Sequence, residues 1–368
     1  MNPFLISGYK GPEFFCDREE ETKKIVNAIR NSRNITLVSE RRLGKTGLLK
    51  HVENQINNET SFIYIDLYPT LNLQGFILLL SNAVLQKLEP FSEKVIKKIT
   101  SFFSVLRPKF SFDNQSGVPS LELSITSKSD ADLTVTMLFE YIRQAEKKVT
   151  VAFDEFQQIL RYPEKNIEAL LRTEIQKDSV TCFIFCGSQT HLLISMFNEY
   201  ARPFYQSTEI LSLGKIDKAI YAQFISRYFK NNNMILSVST AEHIYGLNQG
   251  ITYNVQYMCN KLFSYNSDEV TPEMASNILD EIITENEILY YNYREFVTDL
   301  QYSILKGVAK EEAVEKPFSN SFIKKYSLGS ASSVKSGIDT LVTKGILIFN
   351  NGLRITDWYF SLWLKKNL

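Results

Sequence analysis

Four short apolar runs, separated by segments with helical periodicity, constrain the fold of this chain more than any other feature. The runs are Asn34–Val38, Ser61–Leu67, Lys148–Phe153 and Val180–Cys186. Strands that are apolar on both faces are typical of a parallel sheet covered by helices on both sides. Helices are expected at Cys16–Arg30, Gly47–Asn57, Leu73–Leu88, Ala131–Glu146 and Glu164–Asp178. The pattern therefore predicts an α/β fold.

The chain divides into three regions by its patterns. We expect residues 1–213 to form the α/β core, with a β-hairpin insertion at about 108–128, where apolar and polar residues alternate. Residues 214–292 contain only helical patterns, at Asp217–Phe229, Ser239–Tyr245, Thr252–Ser264 and Pro272–Tyr291. Residues 293–368 are expected to contain three helices, a hairpin with an Asn-Gly turn, and a last helix whose aromatic residues pack into the core. That order is typical of a winged helix.

The charge balance gives no global reason for a polyanionic partner. The chain has 41 Lys and Arg and 41 Asp and Glu among 368 residues, so its net charge attracts neither nucleic acid nor an anionic membrane. No run reaches the roughly 18 apolar residues that span a bilayer. The N-terminus lacks a charged segment followed by an apolar one. We therefore expect a cytoplasmic protein outside the membrane, whose four cysteines are buried free thiols.

A phosphate-binding pattern follows the first apolar run and precedes a helix. Its residues are Ser39-Glu40-Arg41-Arg42-Leu43-Gly44-Lys45-Thr46, followed by Gly47. The segment matches GxxxxGK[ST], the Walker A pattern, except that Ser39 replaces the first glycine. In such a loop, backbone N–H groups surround phosphate oxygens, the lysine reaches the β- and γ-phosphates, and the threonine hydroxyl binds Mg²⁺. A serine at position 39 is costly if its φ is positive. The alternative is an ordinary strand-to-helix turn.

Two carboxylates end a later apolar strand, as in a Walker B motif. Asp154 is expected to hold Mg²⁺, and Glu155 to polarise an attacking water. The alternative is a pair of solvent-facing acids. The strand ending at Cys186 leads into Ser188 and Gln189, either of which is suited to sensing a γ-phosphate if this strand lies between the other two. The alternative there is a simple turn.

These segments, taken together, resemble a known family. They are Cys16-Asp17-Arg18-Glu19, SERRLGKTGLL, VAFDEFQ, FIFCGSQ and Arg202-Pro203-Phe204-Tyr205. The set is similar to the P-loop ATPase family found largely in archaea and in some bacteria, which is AAA+-like and STAND-related. The resemblance implies an additional-strand P-loop NTPase core with a parallel sheet, a helical lid and a C-terminal winged-helix domain. It also implies ATP and Mg²⁺ as ligands.

The resemblance assigns roles to particular residues. It implies phosphate contacts by Gly44, Lys45 and Thr46, a Mg²⁺ ligand in Asp154 and a water activator in Glu155. It further implies a sensor in Ser188, an arginine near the γ-phosphate in Arg202, and an adenine contact in Phe15. Arg41 and Arg42 match the family's loop arginines, with a solvated or acid-paired surface role as the alternative. Asn248–Asn254 replaces the family's usual Gly-x-Pro-Tyr, so no lid sensor is assigned.

Three functions remain open from the sequence. The first is a Mg²⁺-dependent ATPase that acts as a nucleotide-driven conformational switch. The second is an ATP-dependent DNA-binding protein that resembles origin-recognition initiators, although Phe296–Leu368 holds only ten Lys and Arg against six Asp and Glu. The third is a nucleotide sensor with little turnover. The expected partners are ATP and ADP, a protein partner or a second copy, and, with weak support, DNA through Ser330–Lys344 of the winged helix.

Overall fold

The computed structural model describes residues 2–88, 100–102, 109–112, 119–122 and 127–367. The chain forms two compact units. One is Ser7–Lys215, and the other combines Met1–Ile6 with Ile216–Leu368. In the part of the chain that the structure describes, no helix is long and apolar enough to cross a bilayer.

A five-stranded parallel sheet organises the first unit. The strands of this unit are β1 (Ile35–Ser39), β2 (Ser61–Asp66), β3 (Lys109–Phe112), β4 (Pro119–Glu122), β5 (Val149–Asp154), β6 (Cys182–Gly187) and β7 (Glu209–Leu213). The sheet has the order β2-β5-β6-β1-β7, and all its pairs are parallel. Strand β6 therefore lies between β5 and β1, which confirms the additional-strand layout. Strands β3 and β4 form a separate antiparallel pair, while residues 108, 113–118 and 123–126 of the predicted hairpin insertion lie outside the described residues.

Strand β7 is absent from the sequence prediction, which contained four strands for this sheet. Among the strands that the structure describes, it pairs with β1 alone, at the edge of the sheet, and most of its residues are exposed or half-exposed. An edge strand does not need the continuous apolar run that marks the buried strands, so its sequence gives a weak signal.

Helices cover both faces of the sheet. They are α1 (Glu19–Arg30), α2 (Lys45–Ile56), α3 (Leu73–Leu88), α4 (Lys128–Arg143), α5 (Ile167–Gln176) and α6 (Thr190–Asn198). Helix α1 begins later than predicted because Asp17 and Arg18 have φ values of 57° and 68°, which a right-handed helix excludes. Helix α6 is an element that the prediction lacks. One core cluster includes residues of α3 and α4, and the other includes residues of α1 and α2. All four cysteines are free and buried, as expected.

The second unit is helical apart from one hairpin. Its elements are α7 (Lys218–Lys230), α8 (Val238–Leu247), α9 (Thr252–Ser264), α10 (Pro272–Glu285), α11 (Glu287–Glu295), α12 (Asp299–Glu311), α13 (Asn320–Lys325), α14 (Ala331–Thr343), β8 (Leu347–Phe349), β9 (Leu353–Ile355) and α15 (Trp358–Lys366). The predicted helix Pro272–Tyr291 is interrupted at Asn286, which gives α10 and α11. Helices α12 to α14 followed by the β8–β9 hairpin have the expected winged-helix order.

The last helix joins the two halves of this unit. Phe360 and Trp363 of α15 are buried, as predicted, and pack against Tyr290 of α11 with ring centroids 5.3 and 5.7 Å apart. The Trp358 indole N–H donates to the backbone oxygen of Leu247 at 2.8 Å. Helix α15 therefore bonds to the C-terminal end of α8 as well as packing against α11.

Candidate active site

The loop between β1 and α2 carries its backbone strain at positions 42 and 44. Arg42 and Gly44 have φ values of 67° and 93°. Ser39 ends β1 as a buried strand residue and is not among the described residues with positive φ. The replacement of glycine by Ser39 therefore carries no backbone penalty, whereas the conformation of Gly44 favours glycine.

Lys45 lies in the first turn of α2 and is 8% exposed. Its Nζ is 2.8 Å from Asp154 Oδ1 and 3.3 Å from Glu155 Oε1. Burial opposes the charge on Lys45, but the two carboxylates outweigh burial and raise the pKa of the amine. Lys45 is therefore a buried cation at neutral pH.

Asp154 contacts side chains of both α2, the helix that follows the phosphate-binding loop (the loop helix), and strand β2. The Thr46 hydroxyl is 3.4 Å from Asp154 Oδ2, and the Tyr64 hydroxyl donates to the same oxygen at 2.7 Å. Burial and the charge of Asp154 raise the pKa of Tyr64, so Tyr64 remains a donor at neutral pH. Tyr64 was not among the site residues predicted from the sequence. Its only signal is the register of β2 against β5, which a single sequence does not contain.

A third carboxylate lies at the same edge of the sheet. Asp66 is opposite Asp154 in the pairing of β2 with β5. Loss of hydration raises the pKa of Asp66, the Tyr68 backbone N–H opposes that shift, and the Asp154 charge adds to it. Negative charge is therefore concentrated at the ends of β2 and β5, where a bound cation would offset it.

Glu155 lies directly after β5 with a φ of 51°. Its Oε2 accepts hydrogen bonds from the Ser188 hydroxyl at 3.0 Å and from the Gln157 amide. The structure thus brings Ser188 together with the two carboxylates and Lys45. Gln189, the alternative sensor, is the N-cap residue of α6.

The loop arginines differ in their surroundings. Arg41 Nε is 3.5 Å from the Ser188 hydroxyl, and both Arg41 and Arg42 are exposed. Leu43 is buried, and its backbone oxygen accepts a hydrogen bond from Arg18 at 3.2 Å. Arg18 also donates to the Gly214 backbone oxygen at 2.7 Å. Arg18 therefore holds the loop backbone, a role that its place in the sequence did not indicate.

Phe15 lies beside the first turn of α2. Its ring stacks on His51 with centroids 4.2 Å apart, and the Tyr9 hydroxyl is 2.8 Å from His51 Nδ1. A side chain at Gly47 would contact the Phe15 ring at 3.7 Å. Phe15 is therefore close to the loop helix, and its contact with a base stays a prediction.

Arg202 is held by an acid on α5. Its Nη2 is 3.2 Å from Glu168 Oε1, and its buried Nε has no hydrogen-bond partner among the described residues. Its predicted position near a γ-phosphate stays a prediction.

Comparisons with known proteins agree with this architecture. Residues 15–258 match the family described as an ATPase domain predominantly from Archaea, and residues 288–366 match a probable winged helix domain. No curated protein matches the chain.

Solved structures with the same fold cover nearly the whole chain. A Walker-type ATPase of Pyrococcus abyssi is 20% identical, with 99% of each chain covered and a TM-score of 0.68. The Aeropyrum pernix ORC2 protein is 14% identical, with 99% of this chain and 97% of that chain covered and a TM-score of 0.52. The ORC1 protein of the same organism, solved in complex with DNA, is 11% identical, with 97% and 94% covered and a TM-score of 0.53. By its matched sequence and its fold, the chain belongs to the family of P-loop ATPase domains found predominantly in Archaea and carries a C-terminal winged helix domain.

Proposed function

We propose that this chain binds ATP with Mg²⁺ at the loop Ser39–Thr46 and hydrolyses it with the help of Glu155. The observation that carries the proposal is the contact of Lys45 Nζ with Asp154 at 2.8 Å and with Glu155 at 3.3 Å. A buried cation beside two acids, at the end of a loop that leads into a helix N-terminus, suits a phosphate chain and its metal ion.

The loop and Lys45 would bind the phosphates. The γ-phosphate offers Lys45 the same kind of anionic oxygen that Asp154 and Glu155 offer, so ATP binding exchanges one partner for another without leaving the amine unpaired. Because Gly44 and Arg42 hold left-handed backbone conformations, successive N–H groups are able to face one concave anion site.

Thr46 and Asp154 would hold Mg²⁺. Their oxygens are 3.4 Å apart, and a hydroxyl with a carboxylate is the oxygen set that this ion prefers. When bound, the ion neutralises phosphate charge. Glu155 would accept a hydrogen bond from the attacking water, and Ser188 would report on the γ-phosphate. Arg202, Phe15 and the remaining loop residues stay proposed contacts of the nucleotide.

We further propose that hydrolysis drives a conformational switch. The core would be residues 1–213, the lid residues 214–292 and the winged helix residues 293–368. The proposal is supported by the Arg18 contacts, which link the phosphate-binding loop at Leu43 to Gly214, where the chain leaves the first unit.

The decisive experiment compares three proteins in steady-state ATP hydrolysis and in ATP binding, both with Mg²⁺. Lys45→Ala is expected to lose ATP binding, because the buried acids then face the phosphates without a cation. Glu155→Gln is expected to bind ATP like the wild type and to lose turnover by about 100-fold or more. Wild-type ATP affinity in Lys45→Ala would contradict the proposed site. Tight binding without turnover in the wild type would favour the nucleotide-sensor function.

ATP-dependent DNA binding is the second candidate function. It is favoured by the likeness to the ORC1 protein solved with DNA and by the exposed Ser332, Lys335 and Ser336 on α14. Duplex binding that falls steeply with added salt and changes when ATP replaces ADP would support it. Lys335→Glu should then weaken binding. Absence of duplex binding at low salt would contradict this second function and favour a protein partner or self-association. Sedimentation of the nucleotide-bound chain would then show whether it associates with itself.

A further inference from the structure

Gln157 is a buried glutamine two residues beyond Glu155. It belongs to the 3-10 helix Phe156–Arg161, and the residue as a whole is 4% exposed. Its Nε2 donates a hydrogen bond to Glu155 Oε2, the same oxygen that accepts from the Ser188 hydroxyl. The Ser188 backbone N–H also donates to it at 3.4 Å, so Glu155 Oε2 has three donors from two residues, while Oε1 faces Lys45.

Gly187 leaves room for this glutamine. A Cβ atom at Gly187 would lie 2.0 Å from Gln157 Oε1 and 3.1 Å from its carboxamide carbon. Gly187 is the last residue of β6 and is not among the described glycines with positive φ. Its backbone would therefore admit other residues. The nearest obstacle to a side chain is Gln157, and Leu193 Cδ2 would lie 3.3 Å from the same Cβ.

Only one of the two polar groups of the Gln157 carboxamide has a hydrogen-bond partner among the described residues. Its Oε1 is buried and has no hydrogen-bond partner within the ranges that the structure describes. An unpaired buried acceptor is unfavourable, and an apolar side chain of the same size would avoid that cost. The half of the side chain with a partner is the N–H group that reaches Glu155.

We propose that Gln157 is a positioning residue that fixes the carboxylate of Glu155, a role that rests on the proposed hydrolysis of ATP. Glu155 has a left-handed backbone and lies outside a regular strand or helix, so its side chain depends on such contacts for its direction. Gln157 and Ser188 together hold Oε2, and this leaves Oε1 on the side of Lys45 to accept a hydrogen bond from water. Gly187 provides the space that this arrangement needs.

The first experiment compares Gln157→Leu with Gln158→Leu. Gln158 is a matched control because it is the next residue of the same 3-10 helix and is also buried, but it donates to the Thr70 backbone oxygen at 2.9 Å. Gln157→Leu is expected to lower kcat by about 10- to 100-fold through misplacement of the base. Its Kd for ATP should stay within about twofold of the wild-type value. Gln158→Leu should keep kcat within about twofold, although it lowers the melting temperature.

The second experiment does not depend on turnover. Gly187→Ala is expected to lower the melting temperature because its methyl group meets Gln157 Oε1, and Gln157→Ala in that background should restore part of the loss. If Gly187→Ala and Gln157→Ala lower the melting temperature additively, the two residues do not share one space, and the inference is overturned.

The outcomes separate this inference from the proposed function. An inactive wild type would overturn the proposed function and, with it, the role of Gln157. An active wild type whose kcat is the same in Gln157→Leu and Gln158→Leu would overturn the positioning role alone. Turnover lost in Gln157→Leu with ATP affinity retained is the result expected from positioning.

Discussion

His51 gives the region beside the loop helix a pH dependence. Burial lowers the pKa of the ring, so the folded chain favours neutral His51 while the unfolded chain takes up a proton below about pH 6.5. Stability is therefore lost as the pH falls through that value. His51→Gln has no such group to titrate. The wild type should lose more melting temperature than His51→Gln between pH 7.5 and 5.5, as measured by circular dichroism; parallel losses would contradict this assignment.

Tyr64 is expected to tune the metal site through Asp154. Tyr64→Phe removes the hydrogen bond to Asp154 Oδ2, so the carboxylate is held less firmly where it would meet Mg²⁺. We expect the Mg²⁺ concentration for half-maximal ATP hydrolysis to rise by about tenfold, because such supporting contacts typically change metal affinity by that order. Tyr68→Phe is the matched control, since Tyr68 is 65% exposed and follows the same strand. An equal Mg²⁺ requirement in both variants would contradict the role of Tyr64.

The residues that the sequence predicted and those it missed differ in how they come together. Lys45, Thr46, Asp154 and Glu155 lie in local patterns that combine a strand, a loop and a helix. Tyr64 contacts Asp154 from 90 residues away in the chain, and that contact depends on strand register. Gln157 is close to Glu155 in sequence, but its proposed role depends on the space beside Gly187 at the end of β6.

A cluster of phenylalanines holds the elements of the first unit around β5 and β6. Phe185 lies at its centre, with ring centroids 4.6 Å from Phe156, 5.1 Å from Phe197 and 5.4 Å from Phe204. Phe185→Ala is expected to lower the free energy of unfolding by about 3–5 kcal/mol, because the cavity removes contacts on several sides. Tyr200→Ala, at an 86% exposed position of the same unit, should change it by about 0.5 kcal/mol or less. Urea denaturation of both variants tests the difference.

The elements that sequence patterns identify well are the buried ones. Four of the five strands of this sheet, including the edge strand β2, and most helices were predicted because burial against the covering helices requires an apolar pattern. The exposed edge strand β7 and the start of α1 were not. At α1 the left-handed residues Asp17 and Arg18 delay the start of the helix, although the composition of Cys16–Arg30 would allow it to begin earlier.

The second unit is expected to unfold as one body because α15 connects its parts. The buried Tyr359 hydroxyl donates to Asn248 Oδ1 at 2.7 Å. Tyr359→Phe leaves that oxygen without this donor, and we expect a loss of about 1–3 kcal/mol. Hydrogen exchange should rise together in α9 and α14. Tyr265→Phe, at an exposed hydroxyl bonded to Glu281, is the control with little expected effect. Faster exchange confined to α15 would contradict a single cooperative body.

The first residues of the chain complete the second unit. Asn2 donates to the Asn260 backbone oxygen at 2.8 Å across 258 positions, and Phe4 packs 5.1 Å from Phe229. In an unfolded chain, these contacts close a very long loop, which is entropically costly and slow. Once Ser7–Lys215 has folded, most of that loop is a rigid body. The unit that carries the phosphate-binding loop should therefore fold first. A ligand that favours the folded state of this unit would also shorten the conformational search of the second unit. This coupling needs no contact beyond the continuity of the chain.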